Sequence, residues 1–288
     1  MADDAFPASI EARGPLSRRG FGALSLGAGV AAASQALADD NVVETDVEVK
    51  TPDGTADAAF FHPAGKGPWP GAIIFTDILG LRPVFRDMGR RLASSGYAVL
   101  VPNPFYRTKK APVIDGAFDF TKPDDRAKLG PLTAPLTDDA KLHDCTAYVA
   151  WLDTQKLVSR KRPIGVNGYC MGGPYTLIAA SAAPHRVGAG VSCHGGGLVT
   201  GKDDSPDLLI AKIKAPFYFA VAQNDDQKQP DAKDKLKADF AATGVPAGVE
   251  VYPANHGWCV KDNAAVYDAA SAERAWTNLI SLFGRALA

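Results

Sequence analysis

Gly168-Tyr169-Cys170-Met171-Gly172-Gly173 stands where one periodicity stops and another begins. Ile164 to Asn167, just before it, read as the end of a buried strand, and Pro174 to Ala183, just after it, read as a helix. A cysteine held between glycines at such a junction fits a nucleophile elbow, the sharp strand-to-helix turn usually written G-x-S-x-G. Glycines let the backbone fold tightly there without a Cβ clash. The helix N-terminus behind the turn favours a thiolate, because its dipole and free N–H groups stabilise negative charge.

Outward from this turn, strands and helices alternate. Val43 to Lys50 alternates apolar and polar residues as a half-exposed edge strand does, and Ala58 to His62 suits its neighbour. Ala72 to Phe75 and Ala98 to Val101 are continuous apolar runs, which suit strands covered on both faces of a parallel sheet. Pro83 to Ser95 reads as the crossover helix between them, stopped by Gly96. Asp138 to Gln155 reads as a helix with Leu142, Cys145, Val149 and Leu152 on its buried face. Later strands are expected at Gly188 to Ser192, Phe217 to Ala222 and Val249 to Tyr252, and later helices at Asp231 to Thr243 and Asp262 to Phe283. The alternation predicts a single α/β domain built on a doubly wound, mostly parallel sheet. Thr108 to Thr137, rich in proline and poor in periodicity, is expected to be a long loop or cap over the site.

Composition sets bounds on partners. With 288 residues, 46% hydrophobic and 22% charged, the chain is long enough for one large core, and a formal net charge of −1 gives no nucleic-acid footprint. Ser17-Arg18-Arg19-Gly20-Phe21 precedes an uncharged Gly/Ala-rich run over Gly22 to Ala33, and Ala36-Leu37-Ala38 offers a small-x-small cleavage site. This pattern resembles a twin-arginine signal peptide. It divides the chain into a signal peptide over residues 1–38 and the α/β domain over residues 39–288. The expected partners are then the twin-arginine export machinery for the precursor and a small-molecule substrate for the mature protein, which is expected in the periplasm or secreted. The apolar run is too short for a permanent membrane anchor. Four cysteines are present. Cys145 reads as a packed small hydrophobe, Cys170 as free, and Cys193 and Cys259, each after a strand end, as a pair within reach of a bridge.

Two further groups follow Cys170 in an informative order. Asp225 comes after the run Phe217 to Ala222, and His256 sits in Tyr252-Pro253-Ala254-Asn255-His256-Gly257-Trp258. Nucleophile, acid, histidine is the chain order of α/β-hydrolases. In that arrangement a thiolate attacks an ester carbonyl to form an acyl-enzyme, the histidine serves as base, and the acid holds the ring in the right tautomer. His194, in Cys193-His194-Gly195-Gly196-Gly197, is the rival histidine, and chain order favours His256. Asp226 is the rival acid. The elbow offers the backbone N–H of Met171 as one oxyanion donor. No His/Cys/carboxylate cluster has zinc spacing, and the glycine run lacks the lysine of a phosphate loop, so neither metal nor cofactor is expected. A different class of reading is an exported redox or ligand-binding protein that uses Cys170 without hydrolysis.

The elbow, the Asp near 225 and His256-Gly257-Trp258 together resemble the dienelactone hydrolase family. The likeness extends to Ile73-Ile74-Phe75-Thr76-Asp77-Ile78-Leu79-Gly80-Leu81-Arg82-Pro83 and through Arg90 to Pro102, covering roughly residues 45 to 285. It implies an α/β-hydrolase fold and a Cys-His-Asp triad of Cys170, His256 and Asp225 acting on a small ester or lactone. It implies Ile78 as the second oxyanion donor, Asp77 as an acid controlling the resting thiol, and Arg107 as a substrate-carboxylate contact. Family spacing leaves the acid open. Counting forward from Ala222 picks Asp225 and counting back from Pro230 picks Asp226; the firmer anchor of a strand end favours Asp225. A second basic residue that some members carry four positions after the histidine is Val260 here, which argues against dienelactone itself as the substrate.

Overall fold

The structure, a computed structural model, describes residues 41–288. The expected signal peptide therefore lies outside the described residues, apart from which the predicted elements can be compared one by one. The strands are β1 (Val42–Thr51), β2 (Gly54–Pro63), β3 (Gly71–Phe75), β4 (Ala98–Pro102), β5 (Ile164–Tyr169), β6 (Val187–Cys193), β7 (Phe217–Ala222) and β8 (Ala247–Tyr252). The helices are α1 (Pro83–Ser94), α2 (Pro123–Ala127), α3 (Leu129–Thr133), α4 (Asp138–Thr154), α5 (Gly172–Ala182), α6 (Gln223–Lys228), α7 (Ala232–Thr243) and α8 (Ala269–Ala286). The strands form one sheet in the order β1-β2-β4-β3-β5-β6-β7-β8. β1 and β2 are an antiparallel hairpin, β2 runs antiparallel to β4, and every other pairing is parallel.

The doubly wound expectation holds because successive strand residues face opposite layers. Ile73 packs into a core with Cys145 and Val149 of α4, Leu177 of α5 and Leu236 of α7. Ile74, its neighbour, packs into a second core with Phe85 and Leu92 of α1 and Leu279 and Phe283 of α8. Burying one such side chain stabilises the fold by roughly 1.5–3 kcal/mol. Strand order reverses about β3, so the crevice at the carboxyl ends of β3 and β5 is the place where open α/β sheets bind ligands.

Three expectations need correction. The last helix begins at Ala269 rather than Asp262, because the Asp268 carboxylate caps it by accepting from the Ser271 N–H at 2.7 Å. The residues before it form turns closed by bonds such as Val260 N–H to the Gly257 carbonyl at 3.0 Å. Leu142 is 43% exposed and lies off the buried stripe of α4, whose inner face is carried by Cys145, Tyr148, Val149 and Leu152. Residues 108–137 are not a featureless loop: α2 and α3 interrupt them, and Val113, Leu132 and Leu136 close a small core around Phe105, with Ile114 and Met171 packed against it. Since Met171 follows the elbow cysteine, this segment does cap the site end of the sheet.

Candidate active site

Cys170 adopts φ 52°, a left-handed conformation that is rare for a residue with a side chain. Such strain costs on the order of 1–3 kcal/mol and persists only where surroundings over-determine it. They do so here. The Cys170 N–H donates to the Cys193 carbonyl at 3.2 Å, while its own carbonyl accepts from Gly173 at 3.0 Å and Gly196 at 3.2 Å. A Cβ on Gly168 would lie 2.0 Å from the Gly172 carbonyl oxygen, and one on Gly172 would lie 2.3 Å from the Phe75 carbonyl oxygen. The glycines are there for close backbone approach, and the result is a half-buried thiol held at the tip of the turn.

Parallel register brings the other groups alongside. Phe75 pairs with Gly168, Tyr169 with Cys193, Cys193 with Ala220, and Ala222 with Tyr252. The loops after β3, β5, β6, β7 and β8 therefore emerge together at one edge. Ile78 and Met171, the two expected backbone donors, belong to the adjacent loops after β3 and β5.

Asp225 lies in the first turn of α6, a short helix where the sequence suggested a loop. The His256 Nδ1 and an Asp225 carboxylate oxygen are 2.5 Å apart. Asp226 points elsewhere and pairs with Lys233 at 2.8 Å. Asn224, which the sequence reading did not single out, accepts the His256 backbone N–H at 2.8 Å, and the Gln223 N–H donates to Ala254 at 3.0 Å. Thus α6 clamps the histidine loop by backbone and side chain together. With Nδ1 engaged, Nε2 is left for the thiol of Cys170. Burial alone would lower the imidazole pKa, but the bond to Asp225 and the interaction with Cys170 outweigh it and push the group up to about 10.

His194 sits against this ring rather than replacing it. It is 1% exposed, with φ 40°, and its centroid is 5.0 Å from those of both His256 and Trp258. Burial, with the neighbouring His256 charge, holds its pKa well below the usual range, so it stays neutral. Cys193 and Cys259 are both buried free thiols, and Cys145 is buried with its Sγ 3.6 Å from the Tyr175 carbonyl.

Two other expected site residues are held differently from what the sequence suggested. The Asp77 carboxylate is gripped at both oxygens by Arg82, at 2.6 and 2.9 Å, and also accepts the Leu79 N–H at 2.9 Å. Arg82 reaches onward to both oxygens of Asp262, at 2.7 and 3.0 Å. Asp77 is therefore engaged in tying the loop after β3 to the loop after His256. Arg107 is bound by both oxygens of the fully buried Asp144 at 2.7 and 2.8 Å and by Asp53 at 2.6 Å. Two carboxylates neutralise its charge, and the small polar depression it lines contains Asp53, Thr137 and His143 but not Cys170. Sequence spacing held no sign of these partners, since Asp53 and Asp144 are remote along the chain. Among the described residues no group of three or more His, Cys, Asp or Glu is placed to hold a metal ion.

Over residues 56–287 the chain matches the dienelactone hydrolase family. It is 30% identical over 295 residues to a Methylorubrum extorquens protein provisionally named a carboxymethylenebutenolidase, with 98% of this chain and 97% of that one covered. A Rhodococcus opacus carboxymethylenebutenolidase is 26% identical over 242 residues, covering 83% and 90%. The crystal structure of a Klebsiella pneumoniae protein, provisionally named a dienelactone hydrolase, aligns with a TM-score of 0.73 at 21% identity over 85% of this chain and 99% of that one.

Proposed function

The chain belongs to the dienelactone hydrolase family, and from that premise we propose that it hydrolyses a small ester or lactone through an acyl-cysteine intermediate on Cys170. The observation that carries this reading is His256, bonded through Nδ1 to Asp225 at 2.5 Å with its pKa raised by Asp225 and Cys170 together. An imidazole raised to about 10 is protonated at neutral pH and has a proton to give to a leaving group. The thiolate attacks the carbonyl carbon, and the oxyanion that forms is received by the N–H groups of Met171 and Ile78. The carbon–oxygen bond then breaks and His256 gives its proton to the leaving alkoxide. In deacylation the neutral imidazole takes a proton from water, the hydroxide adds to the thioester, and the thiolate leaves as the acid product departs. Asp225 accepts the Nδ1–H throughout and steadies the imidazolium.

The alternative of a thiol working without hydrolysis is not favoured, because a redox cysteine has no use for a base oriented by a carboxylate. The engaged Arg107 supports a substrate that does not depend on that residue for carboxylate recognition. The paired arginines at 18 and 19 and Ala36-Leu37-Ala38 support export of the precursor and a periplasmic or secreted mature protein. Fractionation tests that part: Arg18→Lys with Arg19→Lys should leave uncleaved precursor in the cytoplasm, and normal accumulation of a chain beginning near Asp39 would count against it. The catalytic part is tested by quenching the enzyme with p-nitrophenyl acetate at short times and measuring intact mass. An acetyl adduct on the peptide containing Cys170, absent from Cys170→Ala, is expected; full turnover by Cys170→Ala removes the cysteine from the mechanism.

A further inference from the structure

Behind the loop that carries His256, between α1 and α8, lies a cavity of about 500 Å³ that none of Cys170, Asp225 and His256 lines. Its volume is that of a small-molecule site. Val84 and Met88 of α1 form one side, Trp276 and Leu279 of α8 the other. The sheet side is Tyr169 and Cys193, with Cys259 added from the turns after β8. Aromatic faces and polarizable sulfur atoms favour a flat aromatic ring over a flexible chain. The Cys259 thiol stays neutral, because burial and the adjacent Cys193 push its pKa well up, so its sulfur presents no negative charge to a ligand.

The rim gives the ligand its charge. Each carboxylate there already has a cation: Glu273 pairs with Arg91 at 2.6 Å, Asp262 with Arg82 at 2.7 Å, and Asp87 with Arg90 at 2.7 Å. Arg91 also lies over the Trp276 ring, 4.3 Å from its centroid. Lys261 alone among the rim cations has no hydrogen bond or ion pair at contact distance among the described residues, although its charge is felt by Glu273. Arg82 is shared with Asp77 and Arg90 with Glu44, so Lys261 is the cation left to meet an anion at the mouth. We propose that this cavity is a second binding site, separate from Cys170, for an aromatic monocarboxylate whose ring lies between α1 and α8 and whose carboxylate meets Lys261.

The test uses the mature protein with Cys170 alkylated by iodoacetamide, so that the catalytic cleft is blocked. Calorimetric titration with 2-naphthoate should give one saturable site and quench tryptophan emission. Leu279→Trp, which fills the cavity, should abolish binding; Ala272→Phe, a smaller intrusion from the same wall, serves if the first variant does not fold. Lys261→Glu should weaken 2-naphthoate roughly tenfold while leaving the neutral 2-naphthamide within about twofold. Absence of saturable binding overturns the proposal. Binding that survives both filling variants, or that only the unalkylated enzyme shows, overturns it as well, the latter assigning the ligand to the catalytic cleft.

Discussion

Asp225 and His256, 31 residues apart in sequence, meet at 2.5 Å, while Asp226 turns to Lys233 at 2.8 Å. The difference arises because α6 starts directly at the end of β7: consecutive helical residues point about 100° apart, so only one carboxylate can face the histidine loop. Asp225→Asn should therefore present the ring with an amide and disturb its tautomer. kcat/KM on an activated ester should fall by ~10²-fold or more, up to the ~10⁴-fold of the comparable serine-protease substitution. Asp226→Asn should change it only a few-fold. The reverse ranking would show that the contact with His256 is not the one used in turnover.

The imidazole pushed up to about 10 makes a signed prediction. If the working form is thiolate with imidazolium, the acylation rate should be level from neutral pH to about 9 and fall as His256 loses its proton near 10. A rate that instead rises through pH 8–9 and stays high beyond 10 would mean a neutral base acting on a thiol. Stability carries the same sign. The folded pKa lies above the unfolded value of 6.5, so the contribution is complete below about 6.5 and is lost as pH rises through 10. Stopped-flow acylation and urea titrations at matched pH values check both.

Arg82 ties the loop after β3 to the loop after His256 through Asp77 and Asp262. Its side chain is 12% exposed and that of Asp77 is 13% exposed, so removing the guanidinium strands a largely buried carboxylate. Arg82→Met should destabilise the fold by on the order of 3 kcal/mol. It should also lower kcat more than it raises KM, because Ile78 is carried by the loop that loses its anchor. A KM effect alone, with kcat and Tm unchanged, would leave Arg82 as a surface contact.

Glycine positions around the elbow should differ sharply. Gly172→Ala would place a Cβ 2.3 Å from the Phe75 carbonyl oxygen, which is backbone and cannot swing aside. A loss at the upper end of the ~1–3 kcal/mol typical of overpacking, or more, is expected in urea unfolding. At Gly196 a new Cβ has nothing within 4 Å, and Gly196→Ala should retain stability within about 0.5 kcal/mol. Equal effects at the two positions would contradict the close approach of β3 and the elbow.

What the sequence determined by itself was the local grammar. Buried apolar runs of strand length, helical runs between them, and glycines on either side of Cys170 fix the α/β class, because period and turn chemistry are properties of neighbouring residues. Chain order was enough to make Cys170, His256 and the adjacent pair Asp225 and Asp226 candidates. Tertiary structure decided the rest, because it depends on groups far apart in the chain. Asn224 could hold the His256 loop only once β7 and β8 were neighbours. Asp77 and Arg107 looked like ligands for a thiol or a substrate until Arg82, Asp144 and Asp53 were brought to them. The short helices inside residues 108–137 carry too few apolar positions to declare themselves, and they are fixed by packing around Phe105. A charge reads as available in sequence; only the fold shows which opposite charge lies within 3 Å of it.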